Sequence, residues 1–263
     1  MYSILIIVPT LNSYELLDKL LISIEKQIYK NWRLVFIDGG SCKEHISYLE
    51  NICRSNNKFE WFPQNKDKKY IFGAMNQGFN MAKKNEWTLF LGSDDWLFSE
   101  DSLEIFARKI NKYQNQINSP DLLIGEAIYA DHKTEKLRRI SRFLPISNFR
   151  RALFLGGAPP HQSTLFGPNA RNFLSKYSEE FTLTADLDYF LKISLKKDFK
   201  FKLINKKIIC LGEGGISGRN TLERLKQVFF CYKREFKFFV LIPIILRYSC
   251  RIFYYFKHRG ITF

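Results

Sequence analysis

The stretch ILIIVPTLNSYELLDKLLISIEKQI, residues 4–28, joins a short apolar run to a longer segment whose apolar residues recur every three or four positions. The run at 4–8 has the length and β-rich composition of a buried strand. The segment at 16–28 has the period of an amphipathic helix, and Asn12 and Glu15 have capping-box spacing before it. A strand followed by a helix that packs on it is the repeating unit of an α/β sheet.

The same alternation continues through the first 125 residues. Strands are predicted at 34–37, 59–62, 88–91 and 122–125, and helices at 44–54, 71–83 and 101–113; a later helix is predicted around 186–195. This order predicts an α/β fold with a mostly parallel sheet flanked by helices. Because such sheets bind ligands at the carboxyl ends of their strands, the loops that follow the strands are expected to carry function.

Composition and charge narrow the class of protein. The chain has 263 residues, of which 46% are hydrophobic and 25% charged, so wholesale disorder and a polytopic membrane protein are both excluded. The net charge of +15 implies an anionic partner. Nucleic-acid proteins that stack bases carry aromatic and basic side chains on an exposed sheet or groove, whereas these strands have buried compositions. No nucleic acid partner is expected.

The cysteines and the first residues bear on cellular location. The five cysteines form an odd set without zinc-ligand spacing, so neither a disulfide framework nor a structural zinc site is expected. Met1 leads directly into a short apolar run without a basic region before it, unlike a signal peptide. Both features predict a cytoplasmic protein.

Residues 221–263 hold nine lysines and arginines, two acidic residues and many aromatic residues. The longest uncharged apolar run, 238–246, has nine residues and contains Pro243. It is far shorter than the roughly 20 residues that cross a bilayer. Two interpretations remain open: a helical segment that lies on an anionic membrane surface, or a terminal helical pair that closes the core. The first predicts a peripheral protein at the inner face of the plasma membrane.

Two adjacent carboxylates follow the fourth predicted strand, in TLFLGSDD at 88–95. Asp94 and Asp95 can hold a hard divalent cation, Mn²⁺ or Mg²⁺, that keeps water and phosphate oxygens as further ligands. Such a cation would neutralise a leaving diphosphate. The alternative is that Ser93 or Asp94 caps the following turn. The isolated motif does not decide between them.

Two further polar loops are expected at the same edge of the sheet. VPTLN at 8–12 ends the first strand, and FIDGGS at 36–41 ends the second. Asp38 could accept hydrogen bonds from a base or ribose, while Gly39 and Gly40 would let the backbone approach a ligand closely. Ordinary turn chemistry is the alternative for this loop.

The order of these motifs resembles the family 2 glycosyltransferases with the GT-A fold, especially the bacterial polysaccharide-type members. The resemblance runs from Ile4 to about Ser217 and is carried by VPTLN, FIDGGS, the segment 67–78 ending in AMNQG, LGSDD, His161-Gln162, ADLDY at 185–189 and GGIS at 214–217. It implies an inverting, metal-dependent transfer of a sugar from a nucleoside diphosphate sugar.

The resemblance also implies roles for individual residues. Those expected to bind the nucleotide or donor sugar are Pro9, Thr10, Asn12, Asp38, Asp67, Asn76, Ser93 and Asp94. Asp95 is the expected metal ligand. Asp186 matches the carboxylate that acts as general base toward the acceptor hydroxyl. The alternative is that Asp186 caps its helix while Asp188 lies on the solvent face. His161, Gln162 and Arg219 are secondary candidates for contacts to phosphate, metal or acceptor.

The expected organisation is a GT-A catalytic domain at 1–220, with a nucleotide-sugar binding half at 1–125 and an acceptor half at 126–220, followed by a helical segment at 221–263. The expected reaction transfers a sugar, from a UDP-sugar, to a hydroxyl of a glycan or polyprenyl-linked acceptor in surface polysaccharide synthesis. Gly73 stands where many relatives carry a carboxylate beside the donor sugar. It leaves open a noncatalytic homologue that binds nucleotide sugar or membrane.

Overall fold

A computed structural model describes residues 2–67, 70–113, 119–145, 148–212 and 220–258, the last nine by backbone alone. Within these ranges the strands are β1 (Ile4–Thr10), β2 (Trp32–Asp38), β3 (Phe59–Pro63), β4 (Trp87–Phe90), β5 (Trp96–Leu97), β6 (Leu122–Ala130), β7 (Leu137–Ser141), β8 (Thr164–Phe166) and β9 (Phe201–Gly212). The helices are α1 (Leu17–Glu25), α2 (Lys43–Ser55), α3 (Tyr70–Asn80), α4 (Ser102–Tyr113), α5 (Phe149–Phe154), α6 (Pro168–Phe173), α7 (Ala185–Ile193), α8 (Thr221–Phe236) and α9 (Leu241–His258).

The described strands form one sheet in the order β3-β2-β1-β4-β8-β6-β9-β5, with β7 paired to β6. The predicted parallel arrangement is present in the first half, where β1 pairs with β2 and β4, and β2 pairs with β3. The second half adds antiparallel pairs through β8, β7 and β5, while β6 and β9 run parallel. Thr10 lies opposite Asp38 in the register of β1 and β2, so their following loops start at the same level.

The sheet is covered on both faces by apolar side chains. Successive side chains of a strand point to opposite faces, and β1 divides its residues accordingly. Leu5 and Ile7 belong to the core shared with α3 and α7, whereas Ile4 and Ile6 belong to the core shared with α1 and α4. Burial on both faces explains why the predicted strands are continuous apolar runs instead of alternating ones.

The predicted capping box before α1 is not formed. Asn12 adopts a φ of +49°, a left-handed conformation that asparagine tolerates. Its side-chain oxygen accepts a hydrogen bond from the backbone N–H of Cys42 at 2.8 Å, so it binds the residue that precedes α2 and not the start of α1. A 3₁₀ turn at Tyr14–Leu16 leads into α1.

The helix α8 packs against α7 and the core beneath it. Val228, Cys231 and Tyr232 are buried in the same core cluster as residues of α7. This part of the 221–263 segment closes the core, as one of the two interpretations proposed. None of the helices in the described ranges has the length and apolar character required to span a membrane.

Candidate functional site

The loops after β1, β2 and β4 are joined by hydrogen bonds at one edge of the sheet. The Ser13 hydroxyl donates to the Ser93 hydroxyl at 2.8 Å, and Ser93 donates to the Pro9 carbonyl at 3.3 Å. The Asn12 backbone N–H donates to the Ser41 hydroxyl at 2.8 Å. The three loops that the sequence predicts to converge therefore lie together.

Asp38 organises its own loop. One carboxylate oxygen accepts backbone N–H groups from Gly40 and Ser41, both at 2.9 Å, and the other accepts the Thr10 hydroxyl at 3.3 Å. His45 is fully buried, with Nε2 3.4 Å from the same carboxylate, and burial lowers the pKa of its imidazole. Asp38 is 2% exposed. A direct bond from Asp38 to a base or ribose would require one of these contacts to open.

Asp95 is a buried carboxylate within a tight turn. It is 3% exposed, and Oδ2 accepts the Gly92 backbone N–H at 2.6 Å. Burial, with the charge of Asp94 beside it, raises the pKa of Asp95 to about 8. Gly212, the last residue of β9, packs directly on this turn, because a Cβ atom there would lie 2.3 Å from the Asp94 carbonyl oxygen. The turn is held by a strand from the distant half of the chain.

The carboxylates of Asp94 and Asp95 fit a divalent cation that takes its remaining ligands from a phosphate and water. Across the ranges that the structure describes, no group of three or more His, Cys, Asp or Glu side chains is arranged to hold a metal by itself. A cation held by one or two carboxylates takes its other ligands from water and substrate phosphates, as Mg²⁺ commonly does. It would also offset the desolvation and repulsion that raise the pKa of Asp95.

A cluster of charged and aromatic side chains lies beside this turn and was not predicted from the sequence. Burial raises the pKa of Asp94, and His132, in the β6–β7 connection, opposes part of this rise. The His132 ring lies edge-on to Trp96 at 5.7 Å. Lys19 of α1 lies 5.1 Å from the Trp96 ring and 2.7 Å from the Glu135 carboxylate. The available signal was a histidine just after a strand of the sheet, at the level where ligands bind.

Asn76, predicted near the donor, forms hydrogen bonds with the loop between α6 and α7. Its amide nitrogen donates to the Tyr177 carbonyl at 3.1 Å, and its amide oxygen accepts the Tyr177 backbone N–H at 2.7 Å. Asn76 is 4% exposed. These contacts make Asn76 a support for the loop that precedes α7.

His161 lies in an aromatic core. Its Nε2 is 2.8 Å from the Tyr177 hydroxyl, and its ring packs on Phe90 at 5.3 Å. Burial lowers the pKa of His161 to about 4, against a smaller opposing effect from Asp186, so the imidazole is neutral at physiological pH. The neighbouring Gln162 is partly exposed in the 3₁₀ turn His161–Ser163. These contacts bury His161 beside Tyr177 and Phe90, and its role toward phosphate, metal or acceptor stays a prediction.

Asp186 is the second residue of α7 and is partly exposed. Its charge raises the pKa of both His161 and Tyr177, which places it beside this aromatic core. A carboxylate in the first turn of a helix is favoured by the helix dipole. The alternative that put Asp188 on the solvent face is contradicted, because Asp188 is fully buried and its carboxylate is 2.9 Å from Lys192.

Two further residues were predicted from the sequence to act on the donor or its phosphates. Asp67 is exposed in the connection between β3 and α3. Arg219 lies outside the described residues. Their roles toward the donor stay predictions.

Comparison with known protein families identifies the family of this chain. The family model described as Glycosyl transferase family 2 matches residues 5–177, which include the three converging loops and the Asp94–Asp95 turn. The chain belongs to glycosyltransferase family 2. The resemblance read from the motif order is thereby confirmed.

Curated glycosyltransferases match less than half of the chain. A PGL/p-HBAD biosynthesis glycosyltransferase of Mycobacterium tuberculosis is 34% identical over 123 residues, 47% of this chain and 46% of that protein. The GalNAc(5)-diNAcBac-PP-undecaprenol beta-1,3-glucosyltransferase of Campylobacter jejuni is 30% identical over 107 residues, 41% of this chain and 34% of that protein. The matches thus span less than half the length of these relatives.

Solved structures of this fold match nearly the whole chain. S. aureus TarS 1-349 in complex with UDP-GlcNAc superposes with a TM-score of 0.68 at 15% identity, covering 94% of this chain and 73% of that one. The Pyrobaculum calidifontis mannosyltransferase PcManGT, in complex with GDP-Man and Mn²⁺, gives 0.63 at 13% identity, covering 94% and 70%. The predicted GT-A fold, an α/β sheet flanked by helices, is confirmed.

Proposed function

We propose that this family 2 member is an inverting glycosyltransferase that moves a sugar from a UDP-sugar to a hydroxyl of a glycan or polyprenyl-linked acceptor. The observation that carries the proposal is the Asp94–Asp95 turn, with Asp95 buried, at the edge where the loops after β1, β2 and β4 meet. This edge is where parallel α/β sheets bind nucleotides. The family membership supports the reaction class.

The residues divide into a donor side and an acceptor side. Pro9, Thr10, Asn12 and Ser93 lie in the joined loops and are proposed to contact the nucleotide. A divalent cation, Mn²⁺ or Mg²⁺, held by Asp95 with Asp94, would neutralise the charge of the leaving diphosphate. We assign Asp186 the removal of the proton from the acceptor hydroxyl as the new glycosidic bond forms. Attack opposite the leaving group inverts the anomeric carbon.

The names and bound ligands of similar proteins favour a particular kind of donor and acceptor. Structures that share the fold were solved with UDP-GlcNAc and with GDP-Man and Mn²⁺, which favours a metal-assisted nucleoside diphosphate sugar donor here. The Campylobacter relative is named for a glycan on PP-undecaprenol, which favours a lipid-linked acceptor. We therefore place the reaction at the cytoplasmic face of a membrane, in surface polysaccharide synthesis.

Ligand binding and turnover by the purified full chain test this proposal. Thermal unfolding would be followed with UDP-sugars and GDP-sugars, each with and without Mn²⁺ or Mg²⁺, since a ligand that binds only the folded state raises the midpoint. Asp95→Ala should abolish the metal-dependent shift and the release of nucleotide. Asp186→Asn should keep the shift and lose transfer. Asp198→Ala, an exposed acid after α7, is the matched control and should keep both.

The noncatalytic homologue predicts a different result. It would show a metal-dependent shift with a nucleotide sugar and no nucleotide release with any glycan or lipid-linked acceptor. No shift with any nucleotide sugar, under either metal, would overturn the donor assignment itself.

A further inference from the structure

Large apolar side chains are exposed where α8 turns into α9. The turn is a 3₁₀ segment at Lys237–Phe239, and Lys237 has a φ of +47°. Phe238 is 96% exposed and Phe239 63%, and the first turns of α9 expose Leu241, Ile242 and Ile245. We name these five apolar residues the apolar corner. A contiguous exposed apolar patch of this kind marks a surface that binds a partner.

The apolar corner is held firmly on the domain. Between its exposed residues, Val240 and Ile244 pack against the main core. Arg247 of α9 donates to the Gly156 carbonyl at 3.3 Å. Gly156 has a φ of +83°, and a Cβ atom there would lie 2.5 Å from the Arg247 nitrogen, so the α9 backbone seats directly on it. The exposed phenylalanines are therefore displayed by a fixed scaffold.

A stripe of exposed residues on α8 leads to the same corner. On α8, Leu222, Lys226, Phe230 and Lys233 follow at spacings of three or four residues, and Lys237 begins the 3₁₀ turn after the helix; all five are exposed. Residues with these spacings share one face of a helix. The buried face of α8 is formed by Gln227, Val228, Cys231 and Tyr232. We name the exposed set the basic stripe.

Charge complementarity identifies the occupant. The 221–263 segment carries nine basic and two acidic residues, and both acidic residues have partners within the fold. Phenylalanine and leucine beside lysine are the composition of surfaces that seat in the headgroup region of an anionic bilayer. We propose that the apolar corner and the basic stripe form one docking surface for an anionic lipid bilayer, with Phe238 and Phe239 entering it and the lysines at the phosphates.

The docking surface is tied to the helix that carries Asp186. Arg234, on α8, pairs with the buried Asp188 of α7, and Glu235 lies 3.4 Å from Arg150 of α5. A bilayer on this surface would therefore hold a fixed orientation to α7 and to an acceptor whose anchor lies in the lipid. This inference refines the membrane location proposed above but does not depend on the sugar transfer.

Flotation with vesicles tests the surface without donor or acceptor. The full chain should bind vesicles of phosphatidylcholine with phosphatidylglycerol and bind phosphatidylcholine alone weakly. Phe238→Ser with Phe239→Ser should lower binding about tenfold or more. Lys233→Gln and Lys237→Gln should each lower it about fivefold on anionic vesicles. Ile28→Ser and Lys26→Gln, exposed changes at the end of α1, are matched controls and should bind as wild type.

A second measurement locates the inserted side chain. Phe238→Trp should bind normally and be quenched by brominated lipid, whereas Ile28→Trp should not. Wild-type protein that does not float with anionic vesicles, or a Phe238→Ser/Phe239→Ser variant that floats equally well, would overturn the proposal. So would a lipid-free dimer in sedimentation velocity that the same variant dissociates, because the corner would then be covered by a second copy. Wild-type protein that floats with anionic vesicles but transfers no sugar would contradict the proposed reaction and not the docking surface.

Discussion

The side chain of Asn76 pairs with both backbone polar groups of Tyr177, although the two residues are 101 positions apart in sequence. The pair joins α3, which follows β3, to the loop that leads into α7. Tyr177 in turn contacts His161 through its hydroxyl. The first and second halves of the chain therefore share a buried polar connection in addition to their common sheet.

Asn76→Ala should lower the free energy of unfolding by about 2–4 kcal/mol, because it leaves a buried N–H and a buried C=O of Tyr177 without partners. Urea unfolding measures the loss. Asn80→Ala, an exposed change on the same helix, should stay within about 0.5 kcal/mol of wild type. Equal stability of the two variants would show that water replaces the lost bonds.

Asp188 and Arg234 should be energetically coupled, since the Asp188 carboxylate is buried and depends on its cationic partners. Asp188→Ala and Arg234→Ala should each lower the free energy of unfolding. The loss in the double variant should be smaller than the sum of the two single losses by about 1–2 kcal/mol. The exposed Glu50–Arg54 pair is the control, and its coupling should stay below about 0.5 kcal/mol. Similar coupling in both pairs would mean that Arg234 contributes only as a surface charge.

The sequence predicted the strands of the first 125 residues well, because they are buried on both faces and form continuous apolar runs. It did not predict β5 and β8, which are two and three residues long and exist through their pairing with distant strands. The same limit applies to the site. Asp38 and Asp95 were correctly placed at one edge, but the contact of Asn76 with Tyr177 depends on tertiary packing that no local pattern encodes.

Asp95→Asn should make the metal-free protein more stable by about 1–3 kcal/mol, because it removes a carboxylate whose burial disfavours its charge. The same variant should lose the stabilisation that Mn²⁺ with UDP gives wild type. Thermal unfolding in chelator and in Mn²⁺ with UDP measures both effects. Asp101→Asn, an exposed change before α4, should leave both values unchanged. Metal-free destabilisation by Asp95→Asn would show that the turn depends on the charged carboxylate.

Because His161 is buried in its neutral form, the free energy of unfolding should fall in mild acid. Its pKa is about 4 in the folded protein and 6.5 without burial, so between these values the unfolded chain binds the proton more readily. Its contribution is therefore complete above pH 6.5 and declines as pH falls to about 4, by up to ~3 kcal/mol. Urea unfolding of wild type and His161→Gln across this range should show that the stability advantage of wild type shrinks with acid. Tyr177→Phe removes the hydroxyl partner but keeps the buried imidazole, so this variant should keep the pH dependence of wild type. A constant difference between wild type and His161→Gln would mean that the folded protein admits the proton at His161 without cost.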